Sequence, residues 1–405
     1  MPAATDASVE SLVREALPRL IDLRHDLHAH PELGYQETYA SGVIQRELAA
    51  AEIPFQAGLA STGVVGWIMP SDQAAAARPA VGLRADMDAL PITEQTELPY
   101  ASLYPGRMHA CGHDGHMTVL LGVACVLARL RHRLPRPVKL IFQPAEEGGA
   151  GARKMIDEGA LSDAVGPCRV AMMLGIHGMP LLPVGSFASR PGPLLAATSN
   201  FQITVRGAGG HGAMPHLTAD PIVAAAAVVT GLQSIVSRNV DPTDPAVVTV
   251  GSLHAGTTHN VIPATAELVG TFRTVTPAAA ELIARRVREV AQQISAAHRC
   301  TAEVSIVPGY PVTRNDRHAY QYAMSVARRV LSEQRVHEAP VPIMGGEDFS
   351  FYGETVPSCF GFLGVRPADR DDYPGLHTSH YDFTDEAIPH GVMLMTRWAL
   401  DANEI

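Results

Sequence analysis

The chain has 405 residues and a formal net charge of −10, with 46% hydrophobic and 18% charged residues. This length favours two domains, and the composition is that of a globular protein with a large core. The negative charge argues against a nucleic-acid partner, because binding to phosphates requires a clustered basic surface.

Cysteine usage and hydropathy indicate the compartment. The five cysteines are scattered and odd in number, which does not fit a disulfide framework and favours a reducing compartment. The N-terminus shows no basic segment followed by an apolar core, so no signal peptide is expected. No apolar stretch approaches the ~18 to 20 residues of a membrane-spanning helix. We therefore expect a soluble, cytoplasmic protein without a membrane partner.

The first part of the chain alternates predicted strands with predicted helices. Apolar residues at helical spacing from Val9 to Ile21 predict an amphipathic first helix. The elements that follow are strands at 64–69 and 81–85, a helix from near Asp114, a strand at 138–142, a short helix and a strand at 170–176. Such alternation favours an α/β domain whose mostly parallel sheet is covered by helices on both faces.

The pattern changes after about residue 188. The predicted order there is strand 201–205, helix 221–237, strands 247–253 and 266–273, helix 277–296 and strand 302–307. This β-α-β-β-α-β order is the ferredoxin-like arrangement, which predicts an inserted α+β domain over 189–308. The first domain, 1–188, then resumes over 309–405 with a helix at 317–333, a strand at 360–365 and a final helix from about Asp385.

Polar side chains occur where predicted strands of the first domain stop. Ligands in open α/β sheets gather at the carboxyl ends of the strands, so these side chains are candidates for one site. They are Asp86 and Asp88 after strand 81–85, Glu146 and Glu147 after strand 138–142, and His177 after strand 170–176. The two aspartates have two interpretations: they orient a metal ligand, or they form a turn before Pro91.

The adjacent Glu146 and Glu147 indicate a bound cation. Two carboxylates at the end of a buried strand disfavour joint ionisation unless positive charge compensates them. Cys111-Gly112-His113 adds a thiol and an imidazole, and this donor set suits zinc or another borderline divalent ion. Taken singly, a cysteine is more often a buried small hydrophobe, and a glutamate pair is more often a solvated helix face. Their occurrence together favours the metal.

Five protein ligands are too many for one tetrahedral ion that keeps an open position. They fit two divalent ions per subunit that share a bridge, with Zn, Mn or Co as candidates. The predicted metal ligands are Cys111, His113, Glu147, His177 and His377. Glu146 is then available as the general base. His380 is the alternative to His377.

At these residues the chain resembles the M20 metallopeptidase superfamily, in the amidohydrolase branch of hippurate hydrolases, aminoacylase-like enzymes and plant auxin-conjugate hydrolases. The matching segments are RADMDALP at 84–91, MHACGHDGH at 108–116, QPAEEGGAGA at 143–152, GGEDF at 345–349 and LH at 376–377. The resemblance implies that Glu147 is a ligand and Glu146 the base. Many peptidases of the superfamily carry His-x-Asp where this chain has Arg84-Ala85-Asp86, and use an aspartate as the bridging ligand. The resemblance implies that Cys111 and His113 replace them here.

The resemblance also implies a role for the inserted domain as a lid and dimerisation surface, and hence a homodimer or higher homo-oligomer. His211 matches a histidine that reaches the active site of a partner subunit. Asn260 and Arg273 match lid residues that grip the substrate carboxylate, and a guanidinium pairs bidentately with a carboxylate. Gly345 lies in a matching segment and is assigned to substrate binding.

These observations predict a metal-dependent amidohydrolase, a hydrolase of linear amides. Its substrates would be N-acyl amino acids of hippurate or N-acetyl type, cleaved to a carboxylic acid and a free amino acid. One alternative is a dipeptidase of the same superfamily, which would need a site for a free α-amino group. The other is a non-catalytic homologue that binds metal or ligand, which the loss of Glu146 would favour; Glu146 is present.

Overall fold

The structure is a computed structural model that describes residues 6–403. The described chain forms two compact units. Unit 1 comprises the residues up to Gly192, Arg314–Pro340 and the residues from Asp348 onward, and unit 2 comprises Pro193–Thr313 and Val341–Glu347.

The strands are numbered in chain order. They are β1 Phe55–Leu59, β2 Gly63–Ile68, β3 Ala80–Asp86, β4 Val138–Gln143, β5 Val170–Pro183, β6 Phe187–Ser189, β7 Gly192–Leu195, β8 Ala197–Arg206, β9 Gly210–His211, β10 Ala246–Ala255, β11 Val261–Ile262, β12 Thr265–Thr274, β13 Thr301–Pro308, β14 Thr313–Asn315, β15 Val336–Glu338 and β16 Ser358–Arg366. Every strand predicted from the sequence is present, and the additional ones are short.

The helices are numbered in the same way. They are α1 Asp6–Ala29, α2 Thr38–Ala50, α3 Gln73–Ala76, α4 His113–Arg129, α5 Gly151–Asp157, α6 Pro221–Asn239, α7 Pro277–Ala297, α8 Arg317–Leu331, α9 Ser350–Thr355 and α10 Ile388–Leu400. Helix α2 is the longest element that the sequence analysis missed.

Unit 1 is built on an eight-stranded sheet in the order β1-β2-β4-β3-β5-β16-β6-β15. The central strands β4, β3, β5 and β16 are parallel to one another, whereas β1 and β2 are antiparallel to their neighbours. Every residue of β3 and β4 is buried, as expected for strands covered on both faces. The prediction of an α/β domain is therefore confirmed, with antiparallel pairing towards the edges of the sheet.

Helix α4 is the central helix of unit 1. It starts immediately after Gly112, whose φ of 81° lies in the left-handed region that glycine tolerates. A Cβ atom at Gly115 would collide with the ring of Phe383, so only glycine allows this turn of the helix to pack so closely against that ring. The start of α4 is thus fixed by close packing, and it carries His113.

Unit 2 has its own sheet and its own core. The sheet is antiparallel in the order β10-β12-β8-β13, and α6 and α7 pack on one face of it. The core contains Val205, Val228, Leu268 and Ile283. The order of elements is the predicted ferredoxin-like one. Val341–Glu347, which the sequence analysis placed in the first domain, groups with unit 2, where Ile343 N–H donates to the Leu194 carbonyl at 2.9 Å.

Helix α6 corrects one expectation on membrane segments. It has 19 residues, and an 18-residue window within it has a mean hydropathy of 1.4, so by length and composition alone it could cross a membrane. The same composition serves a core helix, and Ala224, Val228 and Leu232 are buried in the unit 2 core. We interpret α6 as an amphipathic helix whose buried face packs on the unit 2 core.

Candidate metal centre

Six of the seven site residues predicted for the first domain lie together in unit 1, and the seventh, Gly345, lies in unit 2. Five of these six form two groups of metal-type ligand atoms, and within each group the atoms lie within 4.8 Å of one another. The first group is Cys111, His113 and His177, and the second is Cys111, Glu147 and His377. Cys111 belongs to both groups, so its thiolate would be a ligand of both ions if two are bound.

The Cys111 sulfur lies between two imidazoles. His177 Nε2 and His377 Nε2 each lie 3.3 Å from it. Burial raises the pKa of this thiol, and the nearby carboxylates of Glu147 and Glu146 raise it further. A thiol in such negative surroundings becomes a thiolate when a cation replaces its proton.

His177 is oriented as a ligand by the hydrogen bond of its other nitrogen. Nδ1 lies 2.8 Å from the Gly178 carbonyl oxygen, to which it donates, so Nε2 presents a lone pair towards Cys111. Burial and neighbouring His116 lower the pKa of His177 to about 3, so the ring is neutral. The prediction that a strand ends before His177 is wrong: β5 continues to Pro183 because it stays paired with β16.

His113 is buried and has unsatisfied ring nitrogens. Neither Nδ1 nor Nε2 makes a hydrogen bond, although Asp88 lies 3.4 Å and Asp86 3.7 Å away. Burial lowers the pKa of His113, but these carboxylates outweigh it and raise the pKa to about 10. The two carboxylates compensate the charge of His113 without short hydrogen bonds to its ring, and ligation of a cation would satisfy the ring nitrogens.

The two glutamates follow a tight backbone turn at the end of β4. Ala145 has a φ of 53°, in the left-handed region, and its N–H donates to Glu37 Oε1 at 2.9 Å. The N–H groups of Glu146 and Glu147 each donate to a different oxygen of Asp88, both at 2.9 Å. The Asp88 carboxylate therefore fixes the glutamate pair, as one of its two interpretations from the sequence anticipated.

Glu146 and Glu147 have different surroundings. Glu147 Oε1 lies 3.1 Å from His377 Nε2. Burial would raise the pKa of Glu147, but His377 and His113 lower it. Glu146 is 6% exposed, accepts the Asp348 N–H at 3.4 Å and has a carboxylate oxygen within 4.8 Å of ligand atoms of His113 and Glu147. Glu147 lies in a ligand group with Cys111 and His377, whereas Glu146 lies in a group with His113 and Glu147.

Asp86 is the centre of a buried network that the sequence analysis missed. Its carboxylate accepts from Arg84 at 2.6 Å and lies 2.6 Å from His116 Nδ1. His116 Nε2 accepts the Gly178 N–H at 2.8 Å. Asp86, His113 and His116 also lie within ligand distance of one another, but both nitrogens of His116 are already used by these hydrogen bonds. The sequence signal for His116 was its position one helical turn after His113 on α4.

His377 reaches the site from a loop. Its φ of 62° is left-handed, its side chain is 52% exposed, and its N–H donates to the Ala110 carbonyl at 2.8 Å. The alternative ligand His380 is exposed, with Nδ1 3.1 Å from Ser379 Oγ, and it joins no ligand group within the described chain. The geometry favours His377.

The remaining predicted residues lie in unit 2. His211 ends β9, which pairs with β11, and Asn260 directly precedes β11. The Gly212 N–H donates to the Asn260 carbonyl at 2.9 Å, so unit 2 brings His211 and Asn260 together. His211 is exposed, and its Nδ1 accepts the Ala213 N–H at 3.0 Å, which directs Nε2 away from the loop.

Arg273 and Gly345 are also near each other within unit 2. Arg273 is on β12, and a Cβ atom at Gly346, the neighbour of Gly345, would lie 3.1 Å from its guanidinium. Burial lowers the pKa of Arg273. Across residues 8–403 no carboxylate forms an ion pair with it. A half-buried guanidinium in this state suits an anionic ligand.

The donor set and its surroundings together fit a pair of divalent ions. Thiolate, imidazole and carboxylate ligands suit zinc and similar ions. The unsatisfied nitrogens of His113 and the close approach of Cys111 to two histidines are what a metal would resolve. Each group contains three protein side chains, which leaves a position for water or substrate.

Known proteins resemble this chain over most of its length. The family model of peptidase family M20/M25/M40 matches residues 82–401. IAA-amino acid hydrolase ILR1-like 2 of Arabidopsis thaliana is 40% identical over 390 residues, which are 95% of this chain and 85% of that protein. N-acetylcysteine deacetylase of Bacillus subtilis is 41% identical over 359 residues, covering 88% of this chain and 91% of that protein.

Solved structures agree with these similarities. The YXEP protein of Bacillus subtilis, described as a dinuclear metal-binding peptidase from the M20 family, superposes with a TM-score of 0.82. It is 35% identical, and the match covers 96% of this chain and 99% of that one.

Proposed function

The chain belongs to peptidase family M20/M25/M40, and we propose that it is a metal-dependent amidohydrolase that cleaves N-acyl amino acids. The products are a carboxylic acid and a free amino acid. Similarity to an IAA-amino acid hydrolase and to an N-acetylcysteine deacetylase supports this reaction class. The observation that carries the proposal is the pair of ligand groups that share Cys111, next to the buried Glu146.

We assign two divalent ions to the two groups. Cys111, His113 and His177 would hold one ion, and the same thiolate with Glu147 and His377 would hold the other. When bound, the ions supply Lewis-acid polarisation of the amide carbonyl and acidify the attacking water. Similarity to the dinuclear YXEP protein supports the number of ions, and Zn, Mn and Co are candidates for their identity.

Glu146 acts as the general base in this proposal. Its carboxylate lies beside the ligand atoms of His113 and Glu147, so water held among these side chains is within its reach. Glu146 accepts a proton from that water and returns it to the leaving amide nitrogen. Two hydrogen bonds hold Glu146 in position. Its backbone N–H donates to Asp88, and its carboxylate accepts the Asp348 N–H.

We assign the substrate carboxylate to Arg273, with Asn260 and Gly345 as its neighbours in unit 2. The half-buried guanidinium has no ion-pair partner in the part of the chain that the structure describes. Two parallel N–H donors match a carboxylate in geometry as well as charge. This grip explains why an N-acyl amino acid, with its unblocked carboxylate, is the expected substrate.

His211 is proposed to complete the site of a second copy of the chain. It is exposed on the short β9–β11 pair, with its Nε2 directed away from its own loop. In a homodimer, or a higher homo-oligomer, this nitrogen would stabilise the oxyanion that develops on the substrate carbonyl. The family resemblance supports donation between subunits.

A cytoplasmic location completes the proposal. All five cysteines are free, and four of them are buried, which fits a reducing compartment.

A hydrolysis screen tests the proposed function. The purified protein is stripped with a chelator, and its rate is measured on hippurate, N-acetyl amino acids and indoleacetyl amino acids after addition of Zn²⁺, Mn²⁺ or Co²⁺. We expect no turnover without metal and recovery with at least one ion on one of these series. A dipeptide series measured in parallel tests for a dipeptidase.

Two outcomes would contradict the proposal. A full hydrolysis rate in verified metal-free protein would show that the reaction does not need metal ions. Tight binding of both ions without hydrolysis of any amide would favour a non-catalytic binding protein. The matched control is Glu10→Gln on α1, a change in an exposed ion pair that should leave the rate unchanged.

A further inference from the structure

A buried arginine outside the ligand groups joins the two chain segments that carry Cys111 and His377. Arg24, on α1, has a fully buried side chain and three carboxylate partners, Asp114, Asp382 and Asp385. Burying a guanidinium without compensation is very costly, so the three carboxylates must stay close to Arg24 in the folded protein.

The first of the joined segments is the start of α4. Asp114 follows the ligand His113 and is fully buried. Its Oδ2 accepts from Arg24 Nε at 2.9 Å and lies 2.8 Å from His28 Nδ1, one turn further along α1. Helix α4 is buried over most of its length, so this segment is also held by apolar packing.

The second segment is the loop 367–384, which contains no helix or strand and carries His377. The Asp382 carboxylate near its end accepts from Arg24 Nη2, and Asp385, just beyond it, accepts from Nη1 at 3.1 Å. The Tyr100 hydroxyl accepts from Nη1 at 3.2 Å and donates to Asp382 at 3.1 Å. Because the loop lacks regular structure, these contacts replace the support that a helix or strand would give.

We propose that Arg24 is a positioning residue: it holds the loop 367–384 against the start of α4 and thereby keeps His377 in the Cys111–Glu147–His377 group. The two segments already touch through the His377 N–H and the Ala110 carbonyl, at 2.8 Å. Arg24 links the same two segments through its buried bonds to Asp114 on α4 and to Asp382 in the loop. The inference rests on the proposed metal site, and it adds a residue that belongs to neither ligand group.

The geometry explains why arginine, and not lysine, occupies this position. The planar guanidinium directs separate N–H groups to Asp114, Asp382 and Asp385 at once. A lysine ammonium would keep the charge but could not reach all three carboxylates in fixed directions. Arg24→Lys should therefore retain part of the function, and Arg24→Gln should lose both charge and geometry.

Zinc titration of the whole protein tests the proposal through binding. The variants are Arg24→Gln, Arg24→Lys, His377→Ala and the double variant Arg24→Gln/His377→Ala. Loss of a group that orients a ligand costs about 10- to 100-fold in metal affinity. We expect a loss of this size for one of the two ions in Arg24→Gln, a smaller loss in Arg24→Lys, and no further loss when Arg24→Gln is added to His377→Ala.

Amide hydrogen exchange of the metal-free protein is the second measurement. Arg24→Lys should speed exchange of the His377 N–H, with little change along α4. The matched control is Arg14→Gln, also on α1, whose exposed pair with Glu10 should not influence either measurement.

Four results would decide whether Arg24 positions the loop. Wild-type affinity for both ions in Arg24→Gln, or an Arg24→Gln loss that adds in full to that of His377→Ala, would overturn the positioning role. If Arg24→Gln does not fold, unchanged affinity and unchanged exchange in Arg24→Lys would overturn it equally. If the wild-type protein binds no ion, the proposed function fails, and faster His377 exchange in Arg24→Lys would still support Arg24 as the holder of the loop.

Discussion

Replacing Glu146 by glutamine separates proton transfer from metal binding. Glutamine has the same shape as glutamate, so the backbone N–H bonded to Asp88 stays in place, and the amide oxygen can still accept the Asp348 N–H. The change removes the capacity to take up a proton. The ligand groups do not include Glu146 together with Cys111, so both ions should still bind.

The expected magnitude follows from these contacts. General acid–base assistance contributes roughly 10²- to 10⁴-fold, which corresponds to about 3 to 5 kcal/mol in the activation barrier. Glu146 is 6% exposed, and its hydrogen bonds with Asp88 and Asp348 survive the substitution. The free energy of unfolding should therefore change little, and the loss should appear in kcat and not in KM.

The assay pairs metal analysis with steady-state kinetics on the best substrate of the screen. Glu147→Gln is the comparison variant, because it changes a ligand next to the base and should lose an ion. A Glu146→Gln enzyme with near wild-type kcat would refute its role as the base. A Glu146→Gln protein that loses an ion while Glu147→Gln keeps both would show that the two roles are exchanged.

Further substitutions test the bridge, the partner contribution and a buried charge. Cys111→Ser should weaken the binding of both ions, whereas His177→Ala should weaken the binding of one. Calorimetry measures the number of ions bound and their affinities, and equal losses in the two variants would argue against a shared Cys111 ligand. Mixing inactive His211→Ala subunits with inactive Glu146→Gln subunits should restore a small fraction of activity, and its absence despite proven subunit exchange would exclude donation in trans. Burial lowers the pKa of His28, but Asp114 outweighs it and the net pKa is raised. The protonated form thus stabilises the fold below the unfolded pKa of about 6.5, and this contribution is lost as pH rises through the folded pKa. His28→Gln should accordingly lower the urea midpoint more at pH 6 than at pH 9, and an equal or reversed loss would contradict the assignment.

The predictable parts of the site were those with a local signal. Cys111 and His113 are two residues apart, and Glu146 and Glu147 directly follow an apolar strand, so residue type and strand position were enough to nominate them. His177 could be identified because it follows an apolar run. The strand β5 nevertheless continues past it, since the end of an apolar run is not always the end of a strand. Strand pairing with β16, which is remote in sequence, decides where β5 ends.

The supporting residues could not be predicted, because their partners are far away along the chain. Arg24 and Asp382 are separated by 358 positions, and Arg84 and Asp348 by 264. A charged residue on an amphipathic helix such as α1 is usually solvated, and nothing local marks Arg24 as buried. Short elements such as β6 and β15 were missed for a related reason: they depend on neighbours in the sheet and not on their own periodicity.

The charges around the centre differ between the Asp86 carboxylate and the Cys111 thiol. Burial would raise the pKa of Asp86, but Arg84, His113 and His116 hold it well below its usual range, so Asp86 is an anion that protein groups already compensate. Cys111 has the opposite environment, because burial and the nearby glutamates raise the pKa of its thiol. Positive charge is therefore lacking at Cys111 and supplied at Asp86. The cations that the site requires are expected on the thiolate side, where Cys111 meets His177 and His377.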